Sequence, residues 1–477
     1  MKQMSRLALG IKVLARGGGA LWRANTAAGY GMVGRIWLIL TGPVTVIILA
    51  DCFTPVMQGY FFTFISLAAA RILAELGLGQ AIIVEVTRSL HGSASRDIAP
   101  PKFVGLVRFS AKWFAGAGCF AALLLGAIGT TVLSTRGGLA SFEWLPAWLA
   151  TSAMIAVDLA LSGLMFPLEG AGSVKQVYFC RMVRNIINAA MLWFGLLAGL
   201  QLWSIPLALA ASTAWTVNFL LSKEARFVSR ALRPGTPVEK VMWHRELLPA
   251  QWRLGLSSIA NFVTFYTLTP FMYVAYGPIA AGQLGLTFQL SSAVTAVAGM
   301  VVSARFPEFS RLAVARSIKE LDELLVSTTL MTMTLCFMGV AALAAGTYFL
   351  NTGGFSIASR LLPFRDVAIL CAGVLISHIN LTTASYLRAH GGDPWLPGTL
   401  GAAVLMILVE LTVGRWFGVA GLLWGYVVIG AGFVVPLGTF LLHRKRREAG
   451  YPALEVAGSD LASFLATTHF HRGSRRT

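Results

Sequence analysis

Apolar residues in this chain come in runs of about twenty, separated by clusters of charge, with no strict alternation of period two. A helix of that length spans the roughly 30 Å hydrocarbon core of a bilayer, whereas a barrel strand needs only about ten residues. The runs predict twelve helical crossings. The first six lie at 34–52, 60–84, 111–133, 144–166, 182–200 and 203–222. The second six lie at 254–276, 279–304, 325–350, 364–386, 396–414 and 417–442. Two divisions rest on little: Gly277-Pro278 alone separates crossings seven and eight, and Gln201 separates five and six.

Lys and Arg orient this ladder. On the side of the even-numbered loops and both ends lie 33 of the 38 basic residues, against Arg136, Arg360, Arg365 and Arg415 on the other; Arg71 lies inside a run. Positively charged loops stay cytoplasmic, so both termini are predicted to be cytoplasmic. The expected organisation is a basic leader at 1–33, a six-helix bundle at 34–222, a basic linker at 223–253, a second six-helix bundle at 254–442 and a tail at 443–477. The leader carries no clean apolar run that would read as a cleaved signal. The linker divides the chain into two sixes, the pattern of a parallel repeat whose halves rock about a central site. A faint echo supports this. Gln58-Gly59 precedes Thr63-Phe64 in crossing two, and Gly282-Gln283 precedes Thr287-Phe288 in crossing eight. The loop at 305–324 sets Phe306, Phe309, Leu312, Ile318, Leu321, Leu324 and Leu325 among charges, which predicts an amphipathic helix lying at the membrane interface.

Composition agrees with a lipid-solvated helical protein: 56% hydrophobic and 12% charged residues, against about 25% charged in soluble domains. The net charge of +18 follows from the basic loops and does not imply nucleic acid, because no basic stretch is interleaved with aromatics. The five cysteines are scattered without CxxC spacing, which predicts neither a metal site nor a disulfide framework. There is no P-loop and no histidine cluster, so neither an enzymatic constellation nor a cofactor is predicted.

The informative residues are polar groups inside the runs, each costly in hydrocarbon. Arg71 and Glu75 stand four apart on one helix face; they form an intrahelical ion pair, or line a cavity that takes an anionic ligand or a coupling ion. Asp158 has no charged neighbour in sequence, so it must be paired across helices or face water. A carboxylate alone in hydrocarbon favours its protonated form, which makes Asp158 the coupling-ion candidate. Glu410 is expected at the interface, and His378 and Asn380 as satisfied core groups. Arg181, Arg184, Arg253, Arg305 and Arg388 sit at cytoplasmic helix ends. They anchor the helices, or some converge on a vestibule for phosphates, which the guanidinium fork binds bidentately. Asn261, Tyr266, Gln289 and Phe61-Phe62 could offer hydrogen bonds and stacking surfaces to sugars.

Three stretches carry a family resemblance: Thr54-Pro55 through Phe64 and on to Gly79, Gly277 through Thr287, and Ala384-Ser385-Tyr386-Leu387-Arg388 with Asp393-Pro394. Over residues 30–445 the chain resembles the polysaccharide flippases of the multidrug/oligosaccharidyl-lipid/polysaccharide exporter superfamily. The resemblance implies two six-helix bundles with alternating access. It implies an undecaprenyl-diphosphate-linked oligosaccharide as substrate, moved from the cytoplasmic to the periplasmic leaflet of a bacterial inner membrane. Membrane lipids and other polysaccharide-assembly proteins are the further partners it suggests. Where the family uses a cationic cavity residue, Arg71 is the candidate. The candidate cavity set is therefore Arg71, Glu75, Asp158, Asn261, Gln289, Arg305 and Arg388. A cation-coupled small-molecule exporter and a non-transporting scaffold of polysaccharide assembly are the alternatives.

Overall fold

The computed structural model describes residues 27–90, 100–222, 225–390, 394–448 and 450. Most of the leader, the distal tail and Asp393 lie outside the described residues. The first half comprises α1 (Ala27–Cys52), α2 (Pro55–Ala68), α3 (Arg71–Glu75), α4 (Leu78–Leu90), α5 (Pro101–Ser134), α6 (Ser141–Gly170), α7 (Val174–Leu197) and α8 (Ser204–Leu221). The linker carries α9 (Arg226–Ala231) and α10 (Trp243–Glu246). The second half comprises α11 (Leu248–Tyr266), α12 (Leu268–Tyr276), α13 (Pro278–Ala315), α14 (Ile318–Thr352), α15 (Phe364–Ala389), α16 (Leu396–Val409), α17 (Arg415–Ile429) and α18 (Val435–Glu448).

Among the described residues, nine segments are long and apolar enough by themselves to cross a membrane. Twelve crossings result for three physical reasons. Crossing five, α7, is diluted by Arg181, Arg184, Asn185 and Asn188. Crossing seven, α11–α12, carries polar residues and is interrupted at Thr267. The segment Leu396–Glu448 counts once but folds back on itself at Gly418, where φ is +63°. Close approaches of Gly398 to Leu437, Gly401 to Phe433 and Gly425 to Val409 define that antiparallel hairpin. Both thin divisions are real turns. Gly277 adopts φ +91° and hands over to Pro278 at the first position of α13, while Gly199 and Gln201 adopt φ of +76° and +51°.

The second crossing is the centre of the outer half of the molecule. Every residue from Met57 to Phe64 is buried, and the polar Gln58 and Thr63 among them are hydrogen-bonded. Tyr60 packs on Trp144 and Tyr273, and Phe64 packs on Trp148. The two halves meet here along the echoed stretches. A Cβ on Gly59 would stand 2.0 Å from the carbonyl oxygen of Pro278, and one on Gly285 would stand 2.4 Å from Phe62. Only hydrogen fits at that seam. Gln58 donates to the carbonyls of Gly282 (2.9 Å) and Arg360 (3.1 Å). Arg136 donates to those of Val274 (2.9 Å) and Ala275 (2.7 Å), and the Tyr273 hydroxyl donates to that of Leu133 (3.0 Å). The outer ends of the halves are therefore closed on each other.

The cytoplasmic side corrects one expectation. Residues 305–324 form no separate interfacial helix. α13 runs unbroken for 38 residues, about 57 Å at 1.5 Å per residue, and Arg316 turns it into α14 with φ +54°. Phe309, Leu312, Leu321, Leu324 and Leu325 found protein partners instead of lipid, packing with Tyr386, Leu387, Trp395 and Leu442. Arg446, 2% exposed, locks this cluster by a two-pronged ion pair with Asp322, one arm at 2.9 Å. The linker also docks. Arg108 donates to the carbonyls of Ala231 (3.1 Å) and Arg233 (2.7 Å). Lys102 bridges Glu85 (2.8 Å) and Glu246 (3.4 Å).

Candidate functional site

The second crossing does not stay helical. It breaks at Ala69–Ala70, resumes for the five residues of α3, and breaks again where Leu76 and Gly77 take φ of +44° and +71°. A leucine in the left-handed region is strained and persists only where its surroundings hold it. α11 does so: a Cβ on Gly77 would lie 2.3 Å from Leu254, and one on Gly255 would lie 3.0 Å from the Leu76 carbonyl oxygen. Interrupted backbone at membrane depth is tolerated where it lines a cavity. α3 does line one, and it carries Arg71 and Glu75.

Arg71 does not pair with Glu75. Its Nη1 donates to Asp158 Oδ2 across to α6 at 2.8 Å. Arg184 of α7 approaches the other oxygen, with Nη2 2.8 Å from Oδ1. This second contact is an ion pair without an aligned N–H, so Oδ1 is met by charge and not by a hydrogen bond. Asp158 is 3% exposed, whereas the side chains of Arg71 and Arg184 are 44% and 23% exposed. The carboxylate is thus sunk behind two guanidiniums that keep donors toward open space. Glu75 stands in electrostatic reach of Arg71, Asp158, Arg181 and Arg184. Arg181 is held by Glu169 at 2.7 Å and lies over the Tyr178 ring.

These groups wall a cavity of about 580 Å³ that Arg71, Glu75, Arg184, Asn185 and Asn188 make polar and Phe61, Ile65, Ile155, Leu192 and Tyr266 make apolar. Arg184, Asn185 and Asn188 were missing from the candidate set. Their signal was a polar stripe on one face of crossing five; Arg184 was weighed only within the helix-end set, as an anchor or as part of a phosphate vestibule.

The other sequence candidates lie elsewhere. Gln289 and Arg388 line a larger space of about 970 Å³ between α1 and α13, together with Arg35. Asn261 and Arg388 line a third cavity, of about 260 Å³, inside the second half with Ser377, Asn380 and Tyr426. Arg305 lies in none of the three; it donates to Ser327 (2.9 Å) and Thr328 (3.1 Å) and ties α13 to α14. Two expectations change: an interfacial Glu410, and satisfied core groups at His378 and Asn380. Glu410 is buried and accepts the Thr267 hydroxyl at 2.6 Å, because a π-helical turn at Glu410–Gly414 rotates it inward. His378 Nε2 and Asn380 Nδ2 are buried without hydrogen-bond partners among the described residues.

No family model matches the sequence, and no curated protein sequence is similar to it. Solved structures do share the fold. An inward-facing multidrug-resistance MATE transporter of the MOP superfamily superposes with a TM-score of 0.60 at 12% identity, over 88% of this chain and 96% of that one. The lipid II flippase MurJ, in an inward closed conformation, superposes at 0.60 and 11% identity, over 94% and 93%. The MATE multidrug transporter DinF-BH, in complex with R6G, superposes at 0.56 and 14% identity, over 87% and 94%. The chain is a multi-pass helical membrane protein with the two-lobed fold of the MOP-superfamily transporters.

Proposed function

We propose that this protein is a flippase for lipid-linked oligosaccharides, moving an undecaprenyl-diphosphate-linked glycan from the cytoplasmic to the periplasmic leaflet of a bacterial inner membrane by alternating access. One observation carries this reading. Two arginines from different helices, Arg71 and Arg184, converge at the wall of one cavity and share a single sunken carboxylate. Asp158 contacts one nitrogen of each guanidinium, while a guanidinium has five N–H donors. The remaining donors suit a diphosphate. Asn185 and Asn188 beside them suit sugar hydroxyls. Asp158 then acts as a charge-balancing anchor for the arginines and not as a lone proton carrier. Rocking of the halves about the closed outer seam would turn the cavity from one face to the other.

The test is a deletion strain. Undecaprenyl-linked glycan is expected to accumulate on the cytoplasmic leaflet, with Arg71→Ala and Arg184→Ala reproducing the defect at normal protein levels. Normal surface glycan in a deletion strain without a redundant transporter would overturn the proposal.

A second reading is a cation-coupled exporter of small molecules, favoured by the fold shared with multidrug transporters. The exposed guanidiniums weigh against it, since they repel cationic drugs. It predicts drug resistance on overexpression and transport that survives Arg71→Ala.

A further inference from the structure

The short helix α3 has two differently lined sides. Arg71, Ile72 and Glu75 face the polar cavity, while Ala70, Leu73 and Ala74 face an apolar groove of about 710 Å³. The groove's other walls are α5 and the α11–α12 crossing. Along α5 it runs from Lys112 to Val132, about 30 Å at 1.5 Å per residue, which equals the thickness of the hydrocarbon core. Its outer rim is lipid-facing: Phe120 is 64% exposed and Ile128 44%. Leu67, Ala121 and Leu125 are its deeply buried lining residues, and at the exposed Gly116 an added side chain would meet nothing within 4 Å. Tyr266, stacked on Phe262, lines both the cavity and the groove. Lys112, at the cytoplasmic end, has no partner among the described residues.

We propose that this groove holds the polyprenyl chain of the transported lipid while its diphosphate lies at Arg71 and Arg184. The inference rests on the flippase reading and adds the path of the tail. The chemistry of the two spaces matches the two ends of one amphiphile. A cationic, amide-lined chamber and a membrane-long apolar trough share α3 as a wall and Tyr266 as a corner. The head can then be withdrawn from lipid while the tail stays in the bilayer. Lys112 lies where an incoming phosphate would first meet the groove. Bulk phospholipid is the competing occupant, but its two acyl chains and headgroup require no polar chamber behind the groove.

The experiment measures binding of two probes, undecaprenyl diphosphate and geranyl diphosphate, to the full-length protein in nanodiscs. Wild type is expected to prefer the long chain. Gly116→Trp fills the trough at a position with room for it, and Leu124→Trp fills it independently. Each is expected to lower affinity for the long-chain probe by about tenfold or more, leaving the short-chain probe unchanged. Arg71→Ala is expected to weaken both probes. Retained chain-length preference in both tryptophan variants overturns the groove and leaves the flippase reading standing if Arg71→Ala still weakens both probes. Failure of wild type to bind either probe overturns the flippase reading and the groove with it. Loss of the preference in excess phosphatidylglycerol marks the groove as a bulk-lipid site and also overturns the proposal.

Discussion

The two halves share a topology but not a chemistry. The first half walls its cavity with Arg71, Arg184 and Glu75, and Asp158 lies sunk behind the two arginines. The second half lines its smaller cavity mainly with neutral groups, including Asn261, Ser377, Asn380 and Tyr426, with Arg388 among them. A buried charge must be matched by another charge, whereas a buried amide needs only hydrogen bonds. The first cavity is therefore a mutually dependent cluster, and the second can lose single members cheaply.

The comparison breaks most readily at Asp158. Asp158→Leu leaves two guanidiniums side by side without a counter-charge. Removing one partner of a buried ion pair costs about 3–5 kcal/mol, and solvent contact at Arg71 puts this case near the lower figure. Thermal unfolding in detergent should show it, and adding Arg71→Met with Arg184→Met should restore much of the loss. Wild-type stability of Asp158→Leu alone would mean that the cluster is not interdependent.

The next effect is expected at the tightly packed seam between the halves, which the flippase proposal makes the outer gate. Gly59→Leu forces backbone apart at Pro278. Overpacking of this kind costs about 1–3 kcal/mol, which shifts a closed–open equilibrium by about 5–150-fold. A cysteine at Ile155, in a background with Cys52 and Cys119 replaced by serine, reads this out. Its labelling by an impermeant thiol reagent from the outside should rise. Unchanged labelling would remove the seam from the gate.

The smallest effect is expected at Asn380. Its Nδ2 is already unpartnered, so Asn380→Leu removes an unmet donor and should change stability by about 1 kcal/mol or less, in the stabilising direction. A loss comparable with that of Asp158→Leu would abolish the distinction between the halves.

Much of the architecture was legible because the signals are local. Arg136 and Arg360, two of the four basic residues expected on the outer side, donate to backbone carbonyls across the seam, Arg136 to Val274 and Ala275 and Arg360 to Ala50. The Gly59 and Gly282 echo was faint in sequence because two glycines carry little information. In three dimensions they touch, and their lack of side chains is the reason they are there. The site was less legible. Asp158 was expected to pair across helices or face water, but its partnership with Arg71 spans 87 positions along the chain. Arg184 was one of five helix-end arginines for which anchoring and a phosphate vestibule were both open, and Arg305, placed in the cavity set, ties two helices together.

The sequence by itself determined the helical class, the membrane crossings and the two-lobed arrangement. Insertion into lipid depends on the hydropathy of single segments and the charge of adjacent loops, both of which are read along one dimension. Only the tertiary structure decided which polar groups share a carboxylate, where the second crossing breaks, and that α3 divides a charged chamber from an apolar groove. Those outcomes depend on which helices approach closely enough to exclude lipid, and no single segment contains that information.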